Sequence, residues 1–343
     1  ATYAQEVLEN AYREIGGALD FLPAEFEEKI VVEIYPDALG LAAATGLTVG
    51  EIETSGTIAV AKYHRLMITS PLGTANGYSW ADTISHEFAH LVISKKSRNT
   101  IPIWFHEGIA KYYETLWRGP AGEALGPFSE KLLAQAARDK EFITFDQMHP
   151  SMAKLPSQEA AALAFAEVFT VVEYLRQTHG VSSIPKVLEL TGSGIGFEAA
   201  LKKVFGSKLV RLEKKWQKWV LKRKFTLVPG AKAQTIALRD SKSGPGQQED
   251  PLETLENPEA QRFSRLGELL QMREHHQAAA IEYEKARKEV GDQFPSLNYR
   301  LAKAYSLLGK SDQAIDLLTH SFRVHPDDTD GRLLAGRQFC VGE

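Results

Sequence analysis

The sequence predicts an α+β domain over residues 1–225, a linker over 226–257 and a small all-α helical module over 258–343. Three observations carry that reading. Strand-like patterns fall only before Ser70 and helical periodicity fills the rest of the first region, an α+β order. Between Val228 and Pro258 the periodicity is lost, and the stretch Ser241-Lys242-Ser243-Gly244-Pro245-Gly246-Gln247-Gln248 has the composition of a linker. Beyond it a set of residue types recurs at an offset of 35 residues, from Leu266 to Leu301. A chain of 343 residues also exceeds what one ordinary core serves.

The elements follow in chain order. Tyr3, Val7, Leu8, Ala11, Tyr12 and Ile15 recur at three- and four-residue spacings, so residues 1–18 form an amphipathic helix. The β-branched run from Lys29 to Tyr35 ends at Pro36 and reads as a strand. Two more strands, Gly56 to Ala61 and Arg65 to Thr69, are close enough for a hairpin, and their alternation fits a sheet with one buried face. Ser79 with Asp82 three residues later reads as a capping-box variant opening a helix toward Ser94. Further helical patterns cover residues 108–116, 129–137, 159–178, 184–190, 197–205 and 209–223.

The helix after Ser79 contains His86-Glu87-Phe88-Ala89-His90. This H-E-x-x-H spacing sets two imidazoles one helical turn apart, so both reach one metal from the same face. Trp80, Ile84, Phe88, Leu91 and Val92 form the apolar stripe on the other side. A second motif follows, Pro102-Ile103-Trp104-Phe105-His106-Glu107-Gly108-Ile109-Ala110-Lys111-Tyr112. Together the two motifs resemble those of gluzincin peptidases of the peptidase MA-like kind.

That resemblance implies a gluzincin-type fold of a small mixed sheet with zinc-site helices, and zinc-dependent peptide hydrolysis. It maps the zinc (Zn2+) ligands onto His86, His90 and Glu107 and the general base onto Glu87. Two histidines and a carboxylate are a known catalytic zinc set that leaves a fourth position for water. His106 is set aside as a ligand, because neighbouring helical residues point about 100° apart. Phe165 stands where the family often has a tyrosine, so the donor to the oxyanion stays open, with Tyr174 and His179 available. The strand from Gly56 matches in order the family's edge strand, along which extended peptide substrates pair. Membership also implies an exported, periplasmic or cell-envelope protein, while the residues themselves leave a cytoplasmic location open. The start at Ala1 without a methionine fits removal of an export signal or merely the place where the sequence was begun.

Beyond the linker, Leu266, Gly267, Leu270, Ala279, Tyr283 and Ala286 recur as Leu301, Ala302, Tyr305, Ala314, Leu318 and Ser321, with Pro326 after them. This pattern resembles tetratricopeptide repeats, about two units plus a third helix near residues 330–339. Arg273 to His276 depart from the usual glycine turn. The resemblance implies a protein partner or substrate for the module. An ordinary helical hairpin is the plainer alternative.

Composition excludes several classes. With 43% hydrophobic and 24% charged residues the chain is globular, and a net charge of −4 gives no general attraction to nucleic acid or an anionic membrane. The single cysteine, Cys340, rules out an internal disulfide framework. No apolar run reaches the roughly 18 residues that cross a bilayer. The basic stretch from Lys202 to Lys224 reads as a solvated face, since Leu209, Leu212, Trp216, Trp219 and Val220 supply a buried one. The rival to a peptidase is a repeat scaffold with a catalytically silent zinc site, against which an intact Glu87 argues.

Overall fold

A computed structural model describes residues 2–21, 29–50, 52, 57–62, 65–74, 78–119, 122–152, 155–228, 231, 255, 257–291, 294–324 and 328–341. Most of the expected linker, with Ala1, Gly56 and Pro326, lies outside the described residues. Two compact units emerge, residues 1–75 with 79–227, and residues 76–78 with 228–343.

The first unit opens with helix α1 (Thr2–Ala18), strand β1 (Val31–Tyr35) and helix α2 (Ala38–Thr45), followed by β2 (Ala59–Lys62) and β3 (Arg65–Thr69). The strands form one mixed sheet in the order β1-β3-β2, with β1 parallel and β2 antiparallel to β3. The expectation of one buried face fails at β3, where Leu66, Met67, Ile68 and Thr69 are all buried. As the middle strand it is covered twice. Leu66 and Ile68 join the core with Ile84 and Phe88, while α2 also packs on β3. Helix α2 carries no amphipathic period in its sequence, and its Asp37 cap accepts from Gly40 N at 2.9 Å.

Six of the helices that follow build the rest: α3 (Trp80–Ser97), α4 (Ile103–Tyr113), α5 (Pro127–Asp139), α6 (Gln158–His179), α7 (Ser183–Gly192) and α8 (Phe197–Phe205). A last helix, α9, spans Leu209–Val220, shorter than the 209–223 expected. The expected capping box at α3 does not form: Ser79 makes no side-chain cap bond, and Asp82 instead accepts from Trp117 Nε1 at 2.8 Å and pairs with Arg118. Asp82 still sits in the first turn and Lys95 and Lys96 in the last, complementing the helix dipole. Lys96 Nζ also donates to the carbonyls of Leu19 and Asp20 at 2.7 and 2.6 Å, tying α3 to the end of α1.

Helix α4 begins at Ile103, five residues before the expected start, because Pro102 with extended backbone ends the connection. Glu107 is therefore in the second turn, behind the buried Trp104 and Phe105. The Trp104 ring stacks on Phe145 at 3.9 Å between centroids. α4 packs on both α3 and α6. At the second crossing a Cβ on Gly108 would lie 2.8 Å from the Val168 carbonyl oxygen, so only glycine permits the approach.

The second unit is α10 (Pro258–Met272), α11 (His276–Val290), α12 (Pro295–Leu307), α13 (Ser311–Val324) and α14 (Thr329–Val341), each packed on the next. Its core sets alanines 279, 280, 286, 302, 304 and 314 against Tyr283, Leu297, Leu301 and Leu318. Gly267 lies against the Tyr283 ring, where a Cβ would fall 2.7 Å from a ring carbon. In the α10–α11 turn Glu274 takes the left-handed conformation (φ 62°) that Gly309 takes (φ 72°) between α12 and α13. The departure at Arg273 to His276 therefore changes the residue and keeps the turn.

Candidate metal centre

Helix α3 carries His86, Glu87 and His90, and α4 packs against it carrying His106, Glu107 and Lys111, with Glu114 as its C-cap. The Nε2 atoms of His86 and His90 are 3.1 Å apart. Glu107 Oε2 lies 3.4 Å from the first and 3.5 Å from the second. These three donors make a nearly equilateral triangle. A tetrahedral zinc ion with bonds of about 2.0–2.1 Å spaces its ligands by about 3.3 Å, so the triangle has the right size for one such ion. The two imidazoles keep 15% and the carboxylate 19% of their side-chain surface accessible, so the cluster is recessed yet reached by solvent. His86, His90 and Glu107 could thus hold a metal ion.

An outer ring of side chains fixes the inner one. His86 Nδ1 is 3.2 Å from Glu114 Oε2, whose other oxygen accepts from Lys111 Nζ at 2.5 Å. His90 Nδ1 is 2.7 Å from His106 Nδ1, and His106 Nε2 is 3.2 Å from Ser94 Oγ. His106 thus stands outside the triangle and touches the far nitrogen of His90. Such partners orient metal-binding imidazoles and set their tautomer. Glu114, Lys111 and Ser94 were not singled out from sequence. The one local signal was the seven-residue step from Glu107 to Glu114, which returns to the same helical face.

Charge within the cluster is strongly coupled. Burial pulls the His86 imidazole down, but hydrogen bonds and charge from Glu107 and Glu114 outweigh it and hold it at about 10. Burial pushes Glu107 up, yet the charge of His90 and bonds from both histidines hold it well below the usual carboxylate range. His106 is driven down to about 3 by burial and then by the charge of His90, so it is neutral. Metal ligation needs neutral imidazoles and an ionised carboxylate, so a dication would replace a proton the metal-free cluster holds.

Glu87 is buried on α3, with 9% of its surface exposed. Tyr174 packs its ring 5.7 Å from Trp219, and His179 lies edge-on to Phe205 at 5.0 Å. Those two side chains belong to the packing of α6 against α9 and α8. Phe165 is partly buried against the core.

The family model of the peptidase MA superfamily matches residues 23–222, more than half of the chain and all of both site helices. The chain belongs to the peptidase MA superfamily. Membership supports a protease-like enzyme, and the superfamily is typically metal-dependent. In this peptidase MA member, the His-His-Glu triangle is a group that could bind a metal. No curated protein and no solved structure matches the chain.

Proposed function

We propose that the chain is a zinc-dependent peptidase of the gluzincin type, with His86, His90 and Glu107 holding zinc and Glu87 acting as general base. The observation that carries this reading is the triangle of two Nε2 atoms and one carboxylate oxygen spaced 3.1–3.5 Å apart. Zinc held by these residues would supply Lewis-acid chemistry, activating a water near neutral pH and polarising a carbonyl oxygen. Glu87, one residue after the first histidine, accepts the proton of the attacking water and delivers it to the leaving amine. The peptide bond then breaks without a covalent enzyme intermediate. Glu114 and His106 keep both Nε2 lone pairs aimed into the triangle.

Among the described residues β2 pairs only with β3, and it packs on α3. Its outer edge is the place for an extended peptide to add as a further strand, a grip on backbone that tolerates many side chains. Helices α10 to α14 are read as tetratricopeptide-like repeats that bind a protein partner or the substrate. The test is elemental analysis of protein purified without chelator. One zinc per chain is expected, lost on His86→Ala or Glu107→Ala; no metal, or unaltered metal in both variants, refutes the ligand assignment.

A further inference from the structure

Residues 202–224 hold ten basic side chains and one acidic, Glu213, in a chain of net charge −4, so positive charge is concentrated here while the remainder is acidic. Helix α9 presents much of it. Its inner side, Leu212, Trp216 and Val220, is buried in the core. At 100° per residue the opposite side of α9 is Val210, Arg211, Lys214 and Lys218, all exposed, and Leu221 and Lys222, also exposed, follow in the turn just past its end. Glu213 turns inward and accepts from Phe145 N at 2.9 Å, so no carboxylate of α9 offsets the strip. Arg211, Lys214, Lys218 and Lys222 have no ion-pair partner among the described residues. Lys214 with Lys218 is a like-charge pair at i,i+4 within α9, an arrangement that weakens a helix. A solvated face explains the lysines and does not explain Val210 and Leu221, which are 63% and 46% exposed in the same strip.

We infer that this face of α9 docks on an anionic phospholipid bilayer. Lys214, Lys218, Lys222 and Arg211 meet the headgroup charge, and Val210 and Leu221, about 16 Å apart along the helix, reach the apolar boundary at either end. The contact is peripheral, because the broad apolar face of α9 belongs to the protein core and no described helix is long and apolar enough to cross a membrane. Charge alone would also suit nucleic acid. Single strands, however, are gripped by exposed aromatic rings, and the nearest, Trp219, is half-buried with the Arg223 guanidinium over it at 5.8 Å. Aliphatic side chains among lysines suit lipid.

The experiment is co-sedimentation of the whole chain with phosphatidylcholine vesicles, with and without about one third phosphatidylglycerol. Binding is expected only to the anionic vesicles and should weaken as salt rises. Lys214→Gln/Lys218→Gln/Lys222→Gln should lower partitioning on the order of 100-fold. Val210→Ser/Leu221→Ser should lower it about tenfold at unchanged charge. Melting curves check that these exposed substitutions leave the fold intact, and the wild-type salt series decides the matter if either variant is lost. No binding to anionic vesicles, equal binding to neutral ones, full binding by folded variants, or tighter binding to an oligonucleotide overturns the proposal.

Discussion

His90 Nδ1 lies 2.7 Å from His106 Nδ1, so one proton is shared between two rings, donated by one and accepted by the other. If His90 Nε2 faces a metal, the proton belongs on its Nδ1. His106 then accepts there and its Nε2–H donates to Ser94 Oγ, 3.2 Å away. Ligation on one atom sets the tautomers of a three-member chain.

His106→Phe keeps a ring stacked on His90 and removes the acceptor. Zinc affinity should fall about 10- to 100-fold, measured by competition with a chromogenic chelator. His106→Gln, whose carboxamide oxygen can accept the same proton, should recover part of the loss. Equal affinity in wild type and His106→Phe would show that the hydrogen bond does not orient His90.

Gly108 adjoins Glu107 at the crossing of α4 and α6. Alanine there gains helix propensity of up to about 1 kcal/mol, but its Cβ would press on the Val168 carbonyl, and overpacking costs about 1–3 kcal/mol. The clash wins, so Gly108→Ala should destabilise by about 1–2 kcal/mol in a denaturant melt and weaken zinc binding by moving Glu107. A variant as stable as wild type would place the crossing wrongly.

Glu167 is fully buried on α6, with one oxygen accepting from Ile143 N at 3.1 Å and the other without a partner among the described residues. Burial, with a further contribution from Glu213, pushes its pKa well above the ordinary 4.5. A folded pKa above the unfolded one means stability that is full below about 4.5 and declines as pH rises toward the folded value. Glu167→Gln mimics the protonated acid and should remove that decline. Melts at about pH 5 and 8 should show the variant gaining on wild type at the higher pH; a constant difference would contradict the buried, protonated carboxyl.

Local features were legible in the sequence. The histidine pair needs only a helix, and Ser79 to Ser94 supplied its period, so the triangle's two nitrogens could be named without knowing what α3 packs on. Glu107 came from the resemblance of a second motif. What was missed depends on contacts between elements. Glu114 and Ser94 gain their roles only when α4 packs against α3, a placement set by Gly108 against Val168. Ala38 to Thr45 is apolar all round, so no helical period marks α2. The parallel pairing of β1 with β3 needs the crossover through α2, which a reading of adjacent strands as a hairpin does not supply. Asp82 was misread as half of a capping box because Trp117 and Arg118, its actual partners, are remote in sequence.

The most direct test separates metal from chemistry at Glu87. Glu87→Gln preserves size and removes the proton acceptor, so the variant should fold, hold one zinc per chain and lose about 100- to 10,000-fold in peptidase rate on a library peptide that wild type cleaves. Equal cleavage by both proteins would contradict the proposed mechanism, and zinc in both with cleavage by neither would favour a silent site in a repeat scaffold.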